Sequence, residues 1–205
     1  MMLSQIARCY LALGDTVKAR KYIRKIQEPN VEKNINEELQ AEFLRRKETD
    51  QMRGAANNDS LWKIQKEYDK ENQRFLDSVI TIYGCWTGIS ILGQDGASVA
   101  FLIAQHSDND VKFQEKCLNL MKESLIKNDI PRHYYAYLMD RIMLKKVGYQ
   151  LFASQCEEVD GIYQPRPLYD KKIVKALRKY FWMNPLEEYL EFMQNRDSKK
   201  EQNEE

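Results

Sequence analysis

Residues 99–104, Val-Ala-Phe-Leu-Ile-Ala, are apolar on every side when they are wound as a helix. A helix without a polar face must be surrounded by other elements, so this stretch predicts the central helix of a mainly α protein. Gln105 and His106 follow it directly. His106 stands three and four residues after Ile103 and Leu102, so its imidazole projects from the most apolar face.

Helices are also predicted on both sides of this segment by apolar residues at helical spacing. Gly84 to Gly96 is expected to be a connection, and residues 54–59 a loop. Pro131 suits a first helical turn, and Asn184, Pro185 and Glu187 form a capping pattern. The predicted helices cover residues 35–53, 60–83, 99–106, 110–127, 131–147, 170–181 and 185–196.

One β-hairpin is expected within the irregular stretch 148–168. Its turn is Asp160-Gly161, a dipeptide that accepts the positive φ angles of a tight reversal. Its arms would be residues 150–159 and 162–166, and Pro165 would keep the second arm at an edge. The expected architecture is therefore a helical bundle-like domain with one small hairpin.

Residues 3–27 resemble one tetratricopeptide unit, a helix pair with Tyr10, Gly14 and Ala19 at the characteristic places. Any antiparallel helix pair could give much of this pattern, and stacked repeats need about three neighbours. We expect a tetratricopeptide-like hairpin over 1–29, a helical domain over 30–195 and a charged, disordered tail over 196–205. The hairpin is a candidate docking surface for a protein partner, through residues 3–27.

Composition excludes several classes of partner. Lys and Arg number 32 against 31 Asp and Glu, so no net field would attract nucleic acid or an anionic membrane. No segment approaches the roughly 18 apolar residues of a membrane span. The four cysteines are widely spaced and predict reduced thiols. These features favour a cytoplasmic protein.

Polar residues interrupt the apolar stripes of several predicted helices. Burying such groups costs free energy unless they are partnered or functional, so we expect them to share a pocket. The catalytic candidates are His106, Asp140 and Arg141. The candidate ligand contacts are Asp50, Arg53, Asp69, Asn72, Asp108, Gln150 and Gln155.

Each candidate also has a structural interpretation. His106 is either a general base or ligand contact, or a hydrogen-bonded histidine at a helix C-terminus. Asp108 either orients His106 or caps the next helix. Asp140 and Arg141 point about 100° apart, so each must reach separate groups, and a structural ion-pair network would explain both.

On the preceding helices, Asp69 and Asn72 address the same space, and bridging two helices would account for them. Asp50 and Arg53 are three residues apart, and a surface ion pair would account for them. The local sequence favours this last interpretation.

The inventory of side chains limits the chemistry. With only His106 and His133 in the chain, a Cys-His-Asp arrangement would need Cys85 or Cys156, which we disfavour. A multi-histidine metal centre is excluded by count, although a carboxylate-rich magnesium site is not. The glycines do not fit a phosphate-cradling loop. We therefore predict no metal and no cofactor.

Taken together, these motifs resemble a bacterial family of uncharacterised helical proteins over residues 38–192. They are Asp50-Gln51-x-Arg53, Asp69-x-x-Asn72, Gly84 to Gly88, Gln105-His106-x-Asp108, Gln114, Tyr137-x-x-Asp140-Arg141 and Gln150-x-x-x-x-Gln155. Where that family has Gln-x-Tyr-Gly-Thr-Gln, this chain has Phe152 and Ala153 in place of the tyrosine and glycine. The turn from Gly84 to Gly88 also departs from the family's Gly-aromatic-Pro pattern.

The resemblance supplies no reaction, but it favours a common pocket over unrelated ion pairs. Our first hypothesis is a site that binds a small polar or anionic ligand and hydrolyses it, with His106 as base and Arg141 holding an anionic group. The alternative is a non-catalytic interaction module that uses the N-terminal hairpin.

Overall fold

The computed structural model describes residues 32–52 and 59–201. This part of the chain is mainly α-helical with one small antiparallel sheet, as predicted. The expected helix pair at 3–27 and Arg53 lie outside the described residues. The elements are α1 Glu37–Gln51, α2 Asp59–Tyr83, α3 Ile89–His106, α4 Val111–Ile126, α5 Arg132–Val147, β1 Cys156–Val159, β2 Ile162–Pro165, α6 Lys171–Tyr180 and α7 Leu186–Glu201.

Helix α3 occupies the centre, as its apolar composition predicts. It packs against α1, α2, α4 and α5. Val99, Ala100 and Ile103 are almost completely buried and belong to one continuous core with residues of the four surrounding helices. The core therefore holds the C-terminal end of α3, and with it Gln105 and His106, in a fixed place.

The N-terminal part of α3 starts earlier than expected, at Ile89, and is interrupted at Gly93, where φ is +65°. Asp129 stabilises this start because its carboxylate accepts the backbone N–H of Ser90 (2.7 Å) and the Ser90 hydroxyl (2.8 Å). At the interruption, the Gln40 amide donates to the Leu92 carbonyl (2.8 Å). Glycine is favoured at position 93 because side-chain-bearing residues rarely adopt this φ, and a Cβ there would also lie 2.3 Å from that amide nitrogen.

The β-hairpin forms at the predicted turn, with Val159 opposite Ile162. Asp160 and Gly161 both have positive φ, 52° and 78°, as a two-residue type I′ turn requires. The first arm is shorter than predicted, because residues 150–155 form an irregular loop instead of a strand. The partners of that loop, described below, explain the difference.

The last helix is longer than expected. Helix α7 continues to Glu201, beyond residue 195 where we expected the domain to end. Residues 202–205 lie outside the described part.

Cys85, Cys117 and Cys156 are free thiols, as predicted, and Cys9 is outside the described residues. Within the described ranges, no helix combines the length and apolar character needed to cross a membrane.

Candidate functional site

One pair of candidate residues joins α1 to α3. Oδ1 of Asp50 lies 2.8 Å from Nδ1 of His106, and Nε2 of Gln51 donates to Oδ2 of Asp50 (2.7 Å). The Asp50 side chain is 1% exposed and the His106 side chain 15% exposed. The surface position that the local sequence favoured for Asp50 is therefore wrong, since Asp50 is buried and holds the imidazole from one side.

A second polar group joins α1 to α2 directly beside Asp50. Nδ2 of Asn72 donates to the Thr49 hydroxyl (3.3 Å), and Arg46 donates to Oδ1 of Asn72 (3.1 Å). Gln65 donates both to the Thr49 carbonyl (3.1 Å) and to Asp69 (2.8 Å). The bridging role considered for Asn72 therefore accounts for its contacts, whereas the contact of Asp69 is with Gln65 of the same helix.

Gln65 is buried, with 1% of its surface exposed, and the sequence reasoning missed it. Its signal was available, because Gln65 is four residues before Asp69 and seven before Asn72 on one helix face.

Asp108 and Arg141 form a third group at the C-terminal end of α3. Arg141 donates from one nitrogen to Oδ2 of Asp108 (2.8 Å) and to the Gln105 carbonyl (2.9 Å). Lys145 also contacts Asp108. The expectation that Asp108 caps the next helix is wrong, since Asp110 accepts the Phe113 N–H and caps α4. Arg141 thus fixes the turn that follows His106.

Gln114 completes this end of α3 from the neighbouring helix. Its Nε2 donates to the carbonyls of Ala104 (3.3 Å) and Gln105 (3.0 Å), two of the carbonyls left unpaired where a helix ends. Gln114 is fully buried. It appeared in the family-like motif, yet nothing in its local spacing assigned it a role.

Asp140 lies one residue before Arg141 and points elsewhere, as the helical geometry requires. Its carboxylate accepts the N–H groups of Leu151 (2.8 Å), Phe152 (3.0 Å) and Ser154 (3.0 Å), and also the Ser154 hydroxyl (2.8 Å). Asp140 is 0% exposed. These donors hold residues 150–155 as a loop, which is why the first arm of the hairpin starts only at Cys156.

Gln150 and Gln155 brace the same loop. Gln150 donates to the Gln155 carbonyl (2.8 Å) and to the Arg166 carbonyl (3.0 Å), and its Oε1 accepts the Gln155 N–H (2.9 Å). Gln150 is completely buried, whereas Gln155 is half-buried. Both therefore contribute to loop shape through these contacts.

Arg178 on α6 holds the loop from the opposite side. It donates to the carbonyls of Phe152 (2.9 Å), Ala153 (3.1 Å) and Asn184 (2.7 Å), and it is 2% exposed. The sequence reasoning missed this residue. Its signal was its place four residues after Val174, on the buried face of α6.

The departures from the family-like motif can be understood from this loop. Ala153 is fully buried with φ +54°, a conformation that glycine adopts without a steric penalty. Phe152 is buried with its ring against Phe181, centroids 4.8 Å apart. A glycine at 153 would thus relieve strain that this chain carries.

Burial shifts the pKa of several groups near the loop. It raises the pKa of the Asp140 carboxyl, while the N–H groups and the hydroxyl that Asp140 accepts act in the opposite direction. Burial likewise raises the pKa of the Cys156 thiol and lowers that of Arg178. A thiol with a raised pKa is a poor nucleophile, which agrees with our disfavouring a Cys156-His arrangement.

The described residues form a cleft of about 280 Å³ between α4 and α5. Its lining includes Glu115, Leu118, Met139, Met143 and Lys146, and none of the candidate site residues is among the residues that line it. In the described ranges, no group of three or more His, Cys, Asp or Glu side chains is arranged to hold a metal ion.

Sequence neighbours connect the groups. Thr49 precedes Asp50, Gln105 precedes His106, and Asp140 precedes Arg141. Residues of different groups are therefore neighbours in the sequence of three helices. Among these groups, the Asp50–His106 pair has the arrangement of an oriented base.

Comparison with known proteins supports an uncharacterised family. Searches of the curated proteins and of the solved structures gave no match to the chain. A family profile matches residues 37–201, which include all of the helices and both strands described above. The chain therefore belongs to DUF6624, a family of unknown function.

Proposed function

We propose that this chain binds a small polar ligand beside the Asp50–His106 pair and hydrolyses it with His106 as the general base. The observation that carries the proposal is the contact of 2.8 Å between Nδ1 of His106 and a carboxylate that is only 1% exposed. Among the described residues, Asp50 and His106 form the pair in which a carboxylate orients an imidazole that can act as a general base.

The pair supplies a defined tautomer. With Nδ1–H donated to Asp50, the neutral imidazole carries its lone pair on Nε2. Nε2 can then accept a proton from a water molecule as the oxygen of that water attacks an electrophilic carbon or phosphorus atom of the ligand. Asp50 stabilises the imidazolium that results, and the proton passes later to the leaving group.

The other candidate residues act in this proposal as positioning residues. Arg141 donates to the Gln105 carbonyl and to the Asp108 carboxylate. Gln105 precedes His106 in the sequence, and Asp108 follows it. Since its charge is already engaged by Asp108, we no longer assign Arg141 to the anionic group of a ligand. Asp140 sets the shape of the loop 150–155.

Hydrolysis of p-nitrophenyl acetate and p-nitrophenyl phosphate by the full chain tests the proposal. We expect His106→Gln and Asp50→Asn each to lower the rate by at least about 100-fold, the usual contribution of a general base. The matched control is His133→Gln, at the only other histidine. Melting temperatures would show that the variants remain folded.

Equal rates for the wild type and both variants would contradict the role of His106. So would a wild-type rate no higher than that of the uncatalysed reaction for both esters. The alternative function, docking of a protein through residues 3–27, concerns residues outside the described part and stays a prediction.

A further inference from the structure

Helix α6 carries a basic face. Its sequence, Lys-Lys-Ile-Val-Lys-Ala-Leu-Arg-Lys-Tyr, contains no acidic residue. Val174 and Arg178 are its buried residues, and its exposed lysines, which we call the basic face, are Lys171, Lys172, Lys175 and Lys179. Because residues three, four and seven apart share one face of a helix, Lys172, Lys175 and Lys179 form a row. The row is about 10 Å long, since a helix rises about 1.5 Å per residue.

The protein leaves most of this positive charge uncompensated. Within the described ranges, no carboxylate oxygen lies within 4.0 Å of the ammonium nitrogen of any of the four lysines. Asp170 caps α6 by accepting the backbone N–H of Lys172 (2.8 Å), so it offsets at most one of the four charges. Glu187 and Glu188 on α7 are exposed and form no ion pair with the basic face.

The basic face ends beside a fifth cation, Arg132, which is held against two aromatic rings. Its guanidinium carbon lies 4.4 Å from the centre of the Trp182 ring and 5.7 Å from the centre of the Tyr180 ring. Tyr180 directly follows Lys179, and the N–H of Trp182 donates to the Lys179 carbonyl (3.3 Å). These contacts place Arg132 at the C-terminal end of α6.

Arg132 also lacks an acidic partner among the described residues. Its Nε is buried and has no hydrogen-bond partner there, and no carboxylate oxygen lies within 4.0 Å of its guanidinium. The carboxylate of Asp129, three residues earlier, accepts the N–H and the hydroxyl of Ser90 instead. Stacking on a ring fixes the plane of a guanidinium and leaves the N–H groups at its edge able to donate to an oxyanion. Arg132 is therefore a fixed cation suited to a carboxylate.

The charge of the whole chain decides which kind of anionic partner fits. With 32 Lys and Arg against 31 Asp and Glu, the molecule as a whole does not attract a long polyanion such as nucleic acid. Exposed charges more than about 8 Å apart are largely screened at physiological ionic strength, so a short acidic segment on the basic face meets mainly its lysines.

An anionic membrane is a poorer partner for this face. Peripheral binding to a membrane requires apolar side chains that enter the interface. The exposed residues of α6 other than its lysines are only Ala176 and Tyr180. The apolar side of this helix faces the protein, where Val174 is buried.

We propose that the basic face of α6, together with Arg132, is a docking surface for a short acidic segment of a protein partner. Carboxylates of the segment pair with the lysine row, and one carboxylate accepts N–H groups of Arg132 beside Trp182. An extended chain advances about 3.3 Å per residue, so a segment of about four residues spans the row. The proposal is independent of the hydrolysis assigned to the Asp50–His106 pair.

Fluorescence anisotropy of fluorescein-labelled hexaglutamate with the full chain tests the proposal. We expect the peptide to bind the wild type, and both the double variant Lys175→Glu, Lys179→Glu and the single variant Arg132→Gln to bind it at least about tenfold more weakly, because charge-assisted hydrogen bonds are lost. The matched control is the double variant Lys66→Glu, Lys70→Glu on α2, whose lysines are also exposed and four residues apart. It should bind the peptide as the wild type does, and melting temperatures would show that all variants are folded.

Several results would overturn the proposal. One is the absence of peptide binding at concentrations up to about 1 mM. Others are unchanged binding in Arg132→Gln or in the α6 double variant, and an equal loss in the α2 control, which would indicate attraction to any lysine. Tighter binding of single-stranded hexathymidylate or of phosphatidylserine vesicles than of hexaglutamate would replace the protein segment by nucleic acid or by a membrane.

Discussion

The carboxylate of Asp140 accepts both the backbone N–H and the hydroxyl of Ser154, at 3.0 and 2.8 Å. From the opposite side, Arg178 donates to the carbonyls of Phe152 and Ala153. A buried carboxylate and a buried guanidinium therefore hold one short loop through its backbone. Asp140 accepts hydrogen bonds from the N–H groups of the loop, and Arg178 donates to its carbonyls. The shape of this loop depends on both.

Asp140→Asn is expected to destabilise the protein by about 3 kcal/mol, because the new amide directs N–H groups at donors that now lack an acceptor. The melting temperature should fall by roughly 6–12 °C. The matched control is Asp160→Asn, since Asn also suits the positive φ of that turn. A melting temperature of Asp140→Asn equal to that of the control would show that the loop contacts contribute little.

Gly88→Ala is expected to destabilise the start of α3. A Cβ at Gly88 would lie 2.4 Å from both the carbonyl and a carboxylate oxygen of Asp129, and the backbone carbonyl cannot easily move. We expect a loss of about 2–4 kcal/mol in urea unfolding, in the range of an overpacked core. Gly84→Ala in the same connection meets no atom within 4 Å, so it should cost only the strain of its positive φ, about 1 kcal/mol. Equal losses in the two variants would contradict the steric explanation.

Stability should depend on pH through His133. Burial lowers the pKa of this imidazole from 6.5 to about 4, so between these values the unfolded chain binds a proton that the folded chain does not. The free energy of unfolding should therefore fall as the pH is lowered from 6.5 to 4, by at most about 3 kcal/mol from this residue.

His133→Phe should remove that part of the pH dependence while keeping the aromatic contacts with Tyr134 and Tyr137. Urea unfolding at pH 7 and pH 4.5 measures it. The other titrating groups contribute equally to the pH dependence of both proteins, so their contributions cancel when His133→Phe is compared with the wild type. An unchanged difference between the two pH values in His133→Phe would exclude His133 as the cause.

A double-mutant cycle with Asp108→Asn and Arg141→Gln measures the ion pair at the end of α3. Both side chains are partly exposed, 36% and 23%, so solvent screens the pair and we expect a coupling energy of about 0.5–1 kcal/mol. Ester hydrolysis should fall in Arg141→Gln by less than in His106→Gln, because Arg141 acts through the backbone near His106. A loss in Arg141→Gln as large as that in His106→Gln would instead place Arg141 on the ligand.

Local patterns predicted most of the secondary structure. Apolar spacing located the helices because each side chain of a helix faces a direction set by its position alone. The turn at Asp160-Gly161 was equally local, since two residues tolerant of positive φ define it. The start of α3 was predicted too late, because Gly93 interrupts the helix and a distant residue, Asp129, stabilises what precedes it.

The candidate site was predictable only as a set of residues. Asp50, His106 and Asp140 were recognisable because each stands on an apolar face, but the partner of each lies elsewhere in the chain. For Asp50 the local pattern offered a partner three residues away, at Arg53 outside the described residues, and could not show its contact with His106, 56 residues later.

The sequence by itself thus determined the helical class and the central helix, because the burial of an apolar face follows from the periodicity of one helix. Only the tertiary structure decided what the polar residues contact. Packing of α1 against α3 brings Asp50 to His106, and the turn after α5 places the loop over Asp140. A polar side chain forms hydrogen bonds with whichever group the packing brings within about 3 Å, and a local sequence pattern does not specify that group.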